Sequence, residues 1–321
     1  MKSPPMPTAP LIYVAGAAHI DRRAISDAPF IPHASNPGRL VDCPGGAAFN
    51  AVQAMVQAGA TISLHSARGG DPDGRRVTDA IRALGVTDLS VTWLDRMTPT
   101  YTAVLDDKGE LVAGIADMAL YDLLVPRLFT KSAVRAAIGK ADGVLVDANL
   151  PSGAIATITR EAAGKPVGAI GVSPAKIGRL QESLANISAL FLSYAEAASL
   201  VEATTGTSPQ LIAELLGELG VHRAVVTDGP REVMIIDGET VLLQQPPTVV
   251  PKDITGAGDN LAGTAFAALC AGTPWLDTVR AGIVAASLRI SSDPLSPDAL
   301  SRRIAEGVAA LHAPRAPEPA S

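Results

Sequence analysis

Val249-Val250-Pro251-Lys252-Asp253-Ile254-Thr255-Gly256-Ala257-Gly258-Asp259-Asn260 sets an extended, proline-broken stretch against two glycines and then an apolar run that ends at Gly272 and Pro274. Glycine is favoured just past a helix C-terminus and proline cannot continue a helix, so the run reads as a helix over 257–271. Glycines at 256 and 258 let successive backbone N–H groups point into one concavity, and the positive end of the following helix adds to them. Such a turn is a seat for an anion such as a phosphate, with Asp259 standing beside it. Loops of this kind sit beyond the carboxyl ends of the strands in open parallel sheets.

The rest of the chain agrees with that sheet. Short β-rich runs over 11–16, 62–66, 143–147, 189–192, 223–227 and 232–236 alternate with Ala-rich amphipathic segments over 47–59, 73–84 and 208–219. The alternation predicts an α/β fold, a mostly parallel central sheet with helices on both faces. Two stretches break it. Residues 18–44 form one; residues 99–118 form the other and read as a hairpin turning at 107–109. Together they predict a small β lid. Residues 1–10 and 313–321 lack periodicity and read as loose tails around one domain over 11–312.

With 47% apolar, 18% charged and only 3% aromatic residues, the interior must be built from Ala, Val, Leu and Ile. A formal charge of -6 without a Lys/Arg run argues against nucleic acid as a partner. No apolar stretch reaches the roughly 18 residues needed to cross a bilayer, so no membrane partner is expected. Cys43 and Cys270 are too few for a disulfide framework, which fits buried thiols in a reducing cytoplasm. No Walker motif or G-x-G-x-x-G is present, and the histidines at 19, 33, 65, 222 and 312 lack metal-ligand spacing.

A carboxylate beside an anion seat can accept the proton of an attacking hydroxyl while backbone amides hold a transferring phosphoryl group. The plainer alternative makes Asp259 only a helix N-cap after a glycine turn. The same two readings apply to Pro44-Gly45-Gly46-Ala47-Ala48-Phe49-Asn50. Its glycines let a ligand lie against the backbone and Asn50 offers a bidentate amide, or they simply form a tight turn opening a helix.

Taken in order, these segments resemble the ribokinase-like (PfkB) carbohydrate kinases over about residues 11–310. The shared signatures are Gly16-Ala-Ala-His-Ile-Asp21, Gly45-Gly46 with Asn50, Gly70-Asp-Pro-Asp-Gly74, Thr227-Asp-Gly229 and Asp253-Ile-Thr-Gly-Ala-Gly-Asp259. Within the family the likeness is greatest to the pseudouridine kinases, through Ser35-Asn-Pro-Gly38, Tyr101-Thr-Ala-Val-Leu-Asp106, Ala116-Asp-Met118 with Tyr121, and Asp147-Ala-Asn-Leu150. The resemblance implies ATP and Mg2+ as cofactors and the 5'-hydroxyl of pseudouridine as acceptor. It casts Asp259 as general base and the amides of Gly256, Ala257 and Gly258 as the anion hole. Asp21, Gly45, Gly46, Asn50 and Asn149 would hold the sugar, and Thr227 and Gly229 would line the ATP site. Asp253 and Thr255 lie where many relatives place a monovalent cation such as K+. Asp117 and Tyr121 are candidates for the base, or else a turn residue and a partly buried core residue, and His19 either touches the base or packs.

The chain also departs from the family. Its N-x-x-E, which organises the metal's water shell, becomes Ser193-Tyr-Ala-Glu196, leaving Glu196 alone as the metal-facing acid; Ile254 replaces a Thr. Rival readings are a ribokinase or other sugar or purine nucleoside kinase, and a catalytically weak nucleoside-binding regulatory protein. Open edges on the lid predict a homodimer pairing lid to lid.

Overall fold

The computed structural model describes residues 9–204 and 206–317. In chain order the strands are β1 (Leu11–Ala15), β2 (His19–Ser26), β3 (Gly38–Gly45), β4 (Thr61–His65), β5 (Ala67–Gly69), β6 (Thr87–Asp88), β7 (Val91–Trp93), β8 (Thr100–Leu105), β9 (Leu111–Asp117), β10 (Gly143–Asp147), β11 (Val167–Ile170), β12 (Ala189–Ser193), β13 (Arg223–Thr227), β14 (Val233–Asp237) and β15 (Thr240–Gln244). The α-helices are α1 (Ala47–Gln57), α2 (Pro72–Ala83), α3 (Pro126–Phe129), α4 (Ser132–Lys140), α5 (Ser152–Glu161), α6 (Tyr194–Leu200), α7 (Pro209–Glu218), α8 (Ala257–Cys270), α9 (Trp275–Ser291) and α10 (Pro297–Ala310).

Nine strands form the main sheet in the order β15-β14-β13-β12-β11-β10-β1-β4-β6. It is parallel from β6 to β13, and β14 and β15 add an antiparallel edge. Its two faces are separate apolar layers because side chains alternate along each strand. Tyr13 and Ala15 of β1 face one way with Val144 and Val146, against Phe129, Ile155, Ile158 and Leu216. Ile12 and Val14 face the other way with Leu145, against α1, α8 and α9 through Phe49, Met55, Phe266 and Val279. The expected helices on both faces are therefore present. β11, Val-Gly-Ala-Ile, is too short and too small in its side chains to show a pattern in sequence.

The lid is a second, four-stranded sheet in the order β3-β2-β8-β9, so both stretches that interrupt the alternation join in one layer. Its hairpin closes where Asp106 N donates to the Glu110 carbonyl at 3.0 Å and Gly109 adopts φ +82°. Asp21, Arg23, Ile25, Tyr101 and Ala103 face a cleft over the sheet. Leu40, Ala24, Val104 and Ala113 lie opposite one another across the outer face, where Leu40 is 72% exposed.

Two expectations need correction. Arg315 pairs antiparallel with Leu243 and forms an ion pair with Glu232, so the stretch from Ala313 read as a loose tail is tied to the sheet edge at Arg315. Residues 1–8 and 318–321 of the two tails lie outside the described residues. Cys43 and Cys270 are both free but half-buried rather than buried. Among the described residues no helix is long and apolar enough to cross a membrane.

Candidate active site

The glycine turn at the head of α8 is set by backbone geometry. Gly256 is the N-cap with φ +73°, a left-handed conformation that a side chain would strain, and a Cβ there would lie 2.9 Å from Asn50 Nδ2. Because α8 starts at Ala257, Asp259 is the third residue of its first turn, which removes the reading of Asp259 as the cap. The first N–H groups of a helix have no partner inside it. Of the three amides expected to hold an anion, that of Ala257 already donates to the Ile254 carbonyl at 3.3 Å.

Helices α1 and α8 cross closely because small residues meet there: a Cβ on Gly263 would lie 2.3 Å from the Ala51 carbonyl. The close crossing brings Asn50 of α1 to Asp259, where Asn50 Nδ2 donates to Asp259 Oδ2 at 2.9 Å. Burial pushes the Asp259 carboxyl up to about 7. Asn50 opposes that shift, while the neighbouring carboxylates of Asp147, Glu196 and Asp21 reinforce it. A carboxylate poised near neutrality suits a general base.

Asp259 lines a cavity of about 230 Å³ with Ser193, Glu196, Thr227 and Gly258 at the carboxyl ends of β12 and β13. On the other side of the glycine turn, a cleft of about 870 Å³ lies between the lid and residues 251–255, with Asp21 in its wall. That volume is within the usual range for small-molecule sites. Thr227 donates to the Leu192 carbonyl at 3.3 Å, and Gly229 turns the following loop with φ +59°.

Ser193 explains the departure at the N-x-x-E position. It is the N-cap of α6, accepting from Glu196 N at 3.3 Å while its own N–H donates to Glu196 Oε2 at 2.8 Å. Ser and Asn are both favoured caps, so the exchange keeps Glu196 locked in place. Burial raises the Glu196 carboxyl.

At the acceptor end, Gly45 and Gly46 make room for Asp21 and His19. A Cβ on Gly45 would lie 2.0 Å from Asp21 Oδ2, and one on Gly46 (φ +107°) 3.1 Å from His19 Nδ1. His19 is buried and packs, as one of its two readings has it. It also bridges Tyr121 Oη, 3.3 Å from Nδ1, to Asp21 Oδ1, 3.1 Å from Nε2. A carboxylate only accepts, so Nε2 is the donor to Asp21.

Tyr121 is fully buried, which is the core reading rather than the base-contacting one, and it braces His19. Asp117 stands exposed at the end of β9 opposite Thr100, whereas its neighbour Ala116 is the residue that pairs with cleft-facing Tyr101. The structure does not bring Asp117 to the other candidates. Asn149 is pinned: its N–H donates to Asp147 Oδ1 at 2.9 Å, its Oδ1 accepts from Lys176 Nζ at 2.6 Å, and its carbonyl accepts from Arg179.

Two residues are given no role in the sequence reading. Asp147 is fully buried and accepts backbone N–H bonds from Ala17 (2.8 Å), Ala48 (3.1 Å) and Asn149 (2.9 Å), tying together β1, α1 and β10. Its signal is position, as the last residue of an apolar strand. Lys176, half-buried in the loop after β11, has its ammonium disfavoured by burial and reaches Asn149; nothing in its local pattern marks it. Asp253, expected at a cation site with Thr255, instead forms an ion pair with Arg23 of the lid at 2.9 Å.

The chain matches the pfkB family carbohydrate kinase model over residues 9–298 and belongs to that family. It is 26% identical over 287 residues to the pseudouridine kinase of Escherichia coli (strain K12), covering 88% of this chain and 91% of that protein. Among solved structures, a carbohydrate kinase from Agrobacterium tumefaciens is 38% identical with a TM-score of 0.80, covering 92% of this chain and 97% of that one. The Arabidopsis thaliana ribokinase complexed with ribose and ATP shares the fold at a TM-score of 0.79 and 20% identity, covering 92% and 99%. The chain is thus a phosphotransferase with an alcohol acceptor, of ribokinase-like fold.

Proposed function

We propose that this protein transfers the γ-phosphoryl group of ATP to the 5'-hydroxyl of a nucleoside, pseudouridine being the acceptor. The observation that carries the reading is Asp259, held by Asn50 at 2.9 Å in the wall of the 230 Å³ cavity, while residues 251–255 just before the glycine turn wall the 870 Å³ cleft. ATP occupies the cavity side, with Thr227 in its wall and Gly229 in the loop that follows, and the nucleoside lies under the lid with its sugar on Asp21, Gly45, Gly46 and Asn50. Asp259 takes the proton as the hydroxyl oxygen bonds to phosphorus; the β–γ bond breaks and ADP leaves. The turn amides hold the developing charge on the transferring group.

Among the described residues no group of three or more His, Cys, Asp or Glu is placed to hold a metal. Glu196 lines the cavity beside Asp259. Glu196 would face a hydrated Mg2+ brought in with the nucleotide, and that ion would supply charge neutralisation. Similarity to a pseudouridine kinase over most of both chains supports the acceptor. Comparing pseudouridine with uridine, ribose, fructose and adenosine, with ADP release as readout, tests it. Turnover with pseudouridine at least tenfold above every other acceptor is expected; preferred use of ribose would make this a sugar kinase instead.

The partner is a second copy of the chain. The outer lid face sets Leu40, Ala24, Val104 and Ala113 in a row across four strands, an apolar face that a second lid would cover. Light scattering is expected to give twice 32.8 kDa, falling to the monomer mass with Leu40→Lys; a monomeric wild type removes the proposal. Two free thiols fit residence in the reducing cytoplasm.

A further inference from the structure

The resemblance places a monovalent cation at Asp253 and Thr255, and the residues present do not fit one. Both oxygens of Asp253 are engaged by N–H donors: Oδ1 accepts from Thr255 N at 2.9 Å and Oδ2 from Arg23 Nη1 at 2.9 Å. The nearby Ile290 carbonyl accepts from Lys252 N at 2.7 Å and from Asp253 N at 3.4 Å. An ion bound to the Asp253 carboxylate would stand beside a permanently charged guanidinium competing for the same oxygens.

We infer that Arg23 takes the place of the monovalent cation, so that the positive charge steadying the glycine turn is carried by the lid. Asp253 lies three residues before Gly256, and its carboxylate fixes the backbone at Thr255. Arg23 belongs to β2, on the face of the lid that looks into the cleft, two residues from Asp21. A dissolved ion reaches the turn whether the lid is open or closed. A lid-borne guanidinium arrives only when the lid lies over the cleft, so lid position and order in the phosphate-holding turn become one event. Guanidinium and carboxylate meet as a charge-assisted pair, half-buried and thus less screened than a surface pair.

The inference rests on the reading of the turn as the nucleotide's phosphate seat, and the test separates the two. Binding of a non-hydrolysable ATP analogue with Mg2+ is measured by titration calorimetry in K+, Na+ or tetramethylammonium buffers of equal ionic strength. Wild-type Kd is expected to differ by less than threefold among the three. Arg23→Met is expected to bind about tenfold more weakly in tetramethylammonium, with K+ restoring part of the loss, and Arg23→Lys to lie nearer the wild type. A wild-type Kd more than threefold tighter in K+ overturns the inference alone, as does Arg23→Met within threefold of wild type in tetramethylammonium. Absence of binding in every buffer overturns the nucleotide reading and this inference with it. Thermal melting verifies that each variant is folded; should Arg23→Met not fold, Asp253→Asn removes the other end of the pair and is judged by the same thresholds.

Discussion

Replacing Asp259 by Asn is expected to lower turnover by about 10²- to 10⁴-fold, the cost of losing a positioned general base. The variant isolates the proton transfer. Asn has nearly the same shape, and its carbonyl oxygen can still accept from Asn50, so the contact at 2.9 Å that fixes the side chain survives. Stability should move the other way. Burial raises the Asp259 carboxyl to about 7, above its ordinary value near 3.8, so the folded state holds a proton that the unfolded state has lost between those values. Stability therefore falls as pH rises from about 4 to 7, and Asn is free of that loss. The variant should melt at or above the wild-type temperature at pH 8, the difference shrinking toward pH 4. In the wild type, kcat/KM should fall about tenfold per pH unit below about 7 as the base protonates. Near-wild-type turnover in Asp259→Asn would remove the base assignment.

What the chain discloses on its face is local. The glycine turns at Gly256 and Gly46, the hairpin at 106–110 and the apolar strands β1 and β10 are each decided within a few residues, and each is where the pattern puts it. What escapes is the pairing of polar groups distant in sequence. Asn50 and Asp259 are 209 positions apart, Arg23 and Asp253 are 230, and Ala17 and Asp147 are 130. Nothing near Asp253 in sequence announces that its carboxylate is already taken. Tyr121 stays open for a related reason: a tyrosine just after a lid strand suits a base platform or a core position alike, and only the packing of the turn after β9 shows that its ring is enclosed. Ser193 is the reverse case, a departure from the family pattern that local helix-capping chemistry explains.

The second large effect is expected at Asp147. Its buried carboxylate is the common acceptor for the N–H groups of Ala17, Ala48 and Asn149, and Gly16 is kept small because a Cβ there would lie 2.4 Å from Oδ2. Ala48 sits in the first turn of α1, so the charge also meets the positive end of that helix. Asp147→Ala would leave three buried donors without a partner, at about 1–3 kcal/mol for each such group before water enters the hole. A net loss of about 3–5 kcal/mol is expected, seen as a drop in Tm of roughly 4–8 °C. Asp147→Asn keeps the shape and one good acceptor, and should lose about half as much. It also provides a readout that a purely structural residue would not move. Asp147 is one of the carboxylates holding the Asp259 carboxyl high, so removing its charge makes ionised Asp259 easier to form. The acid limb of kcat/KM should then shift to lower pH in Asp147→Asn. An unshifted limb in a folded variant would show that the two carboxylates are not coupled, and would leave Asp147 only as the tie between β1, α1 and β10.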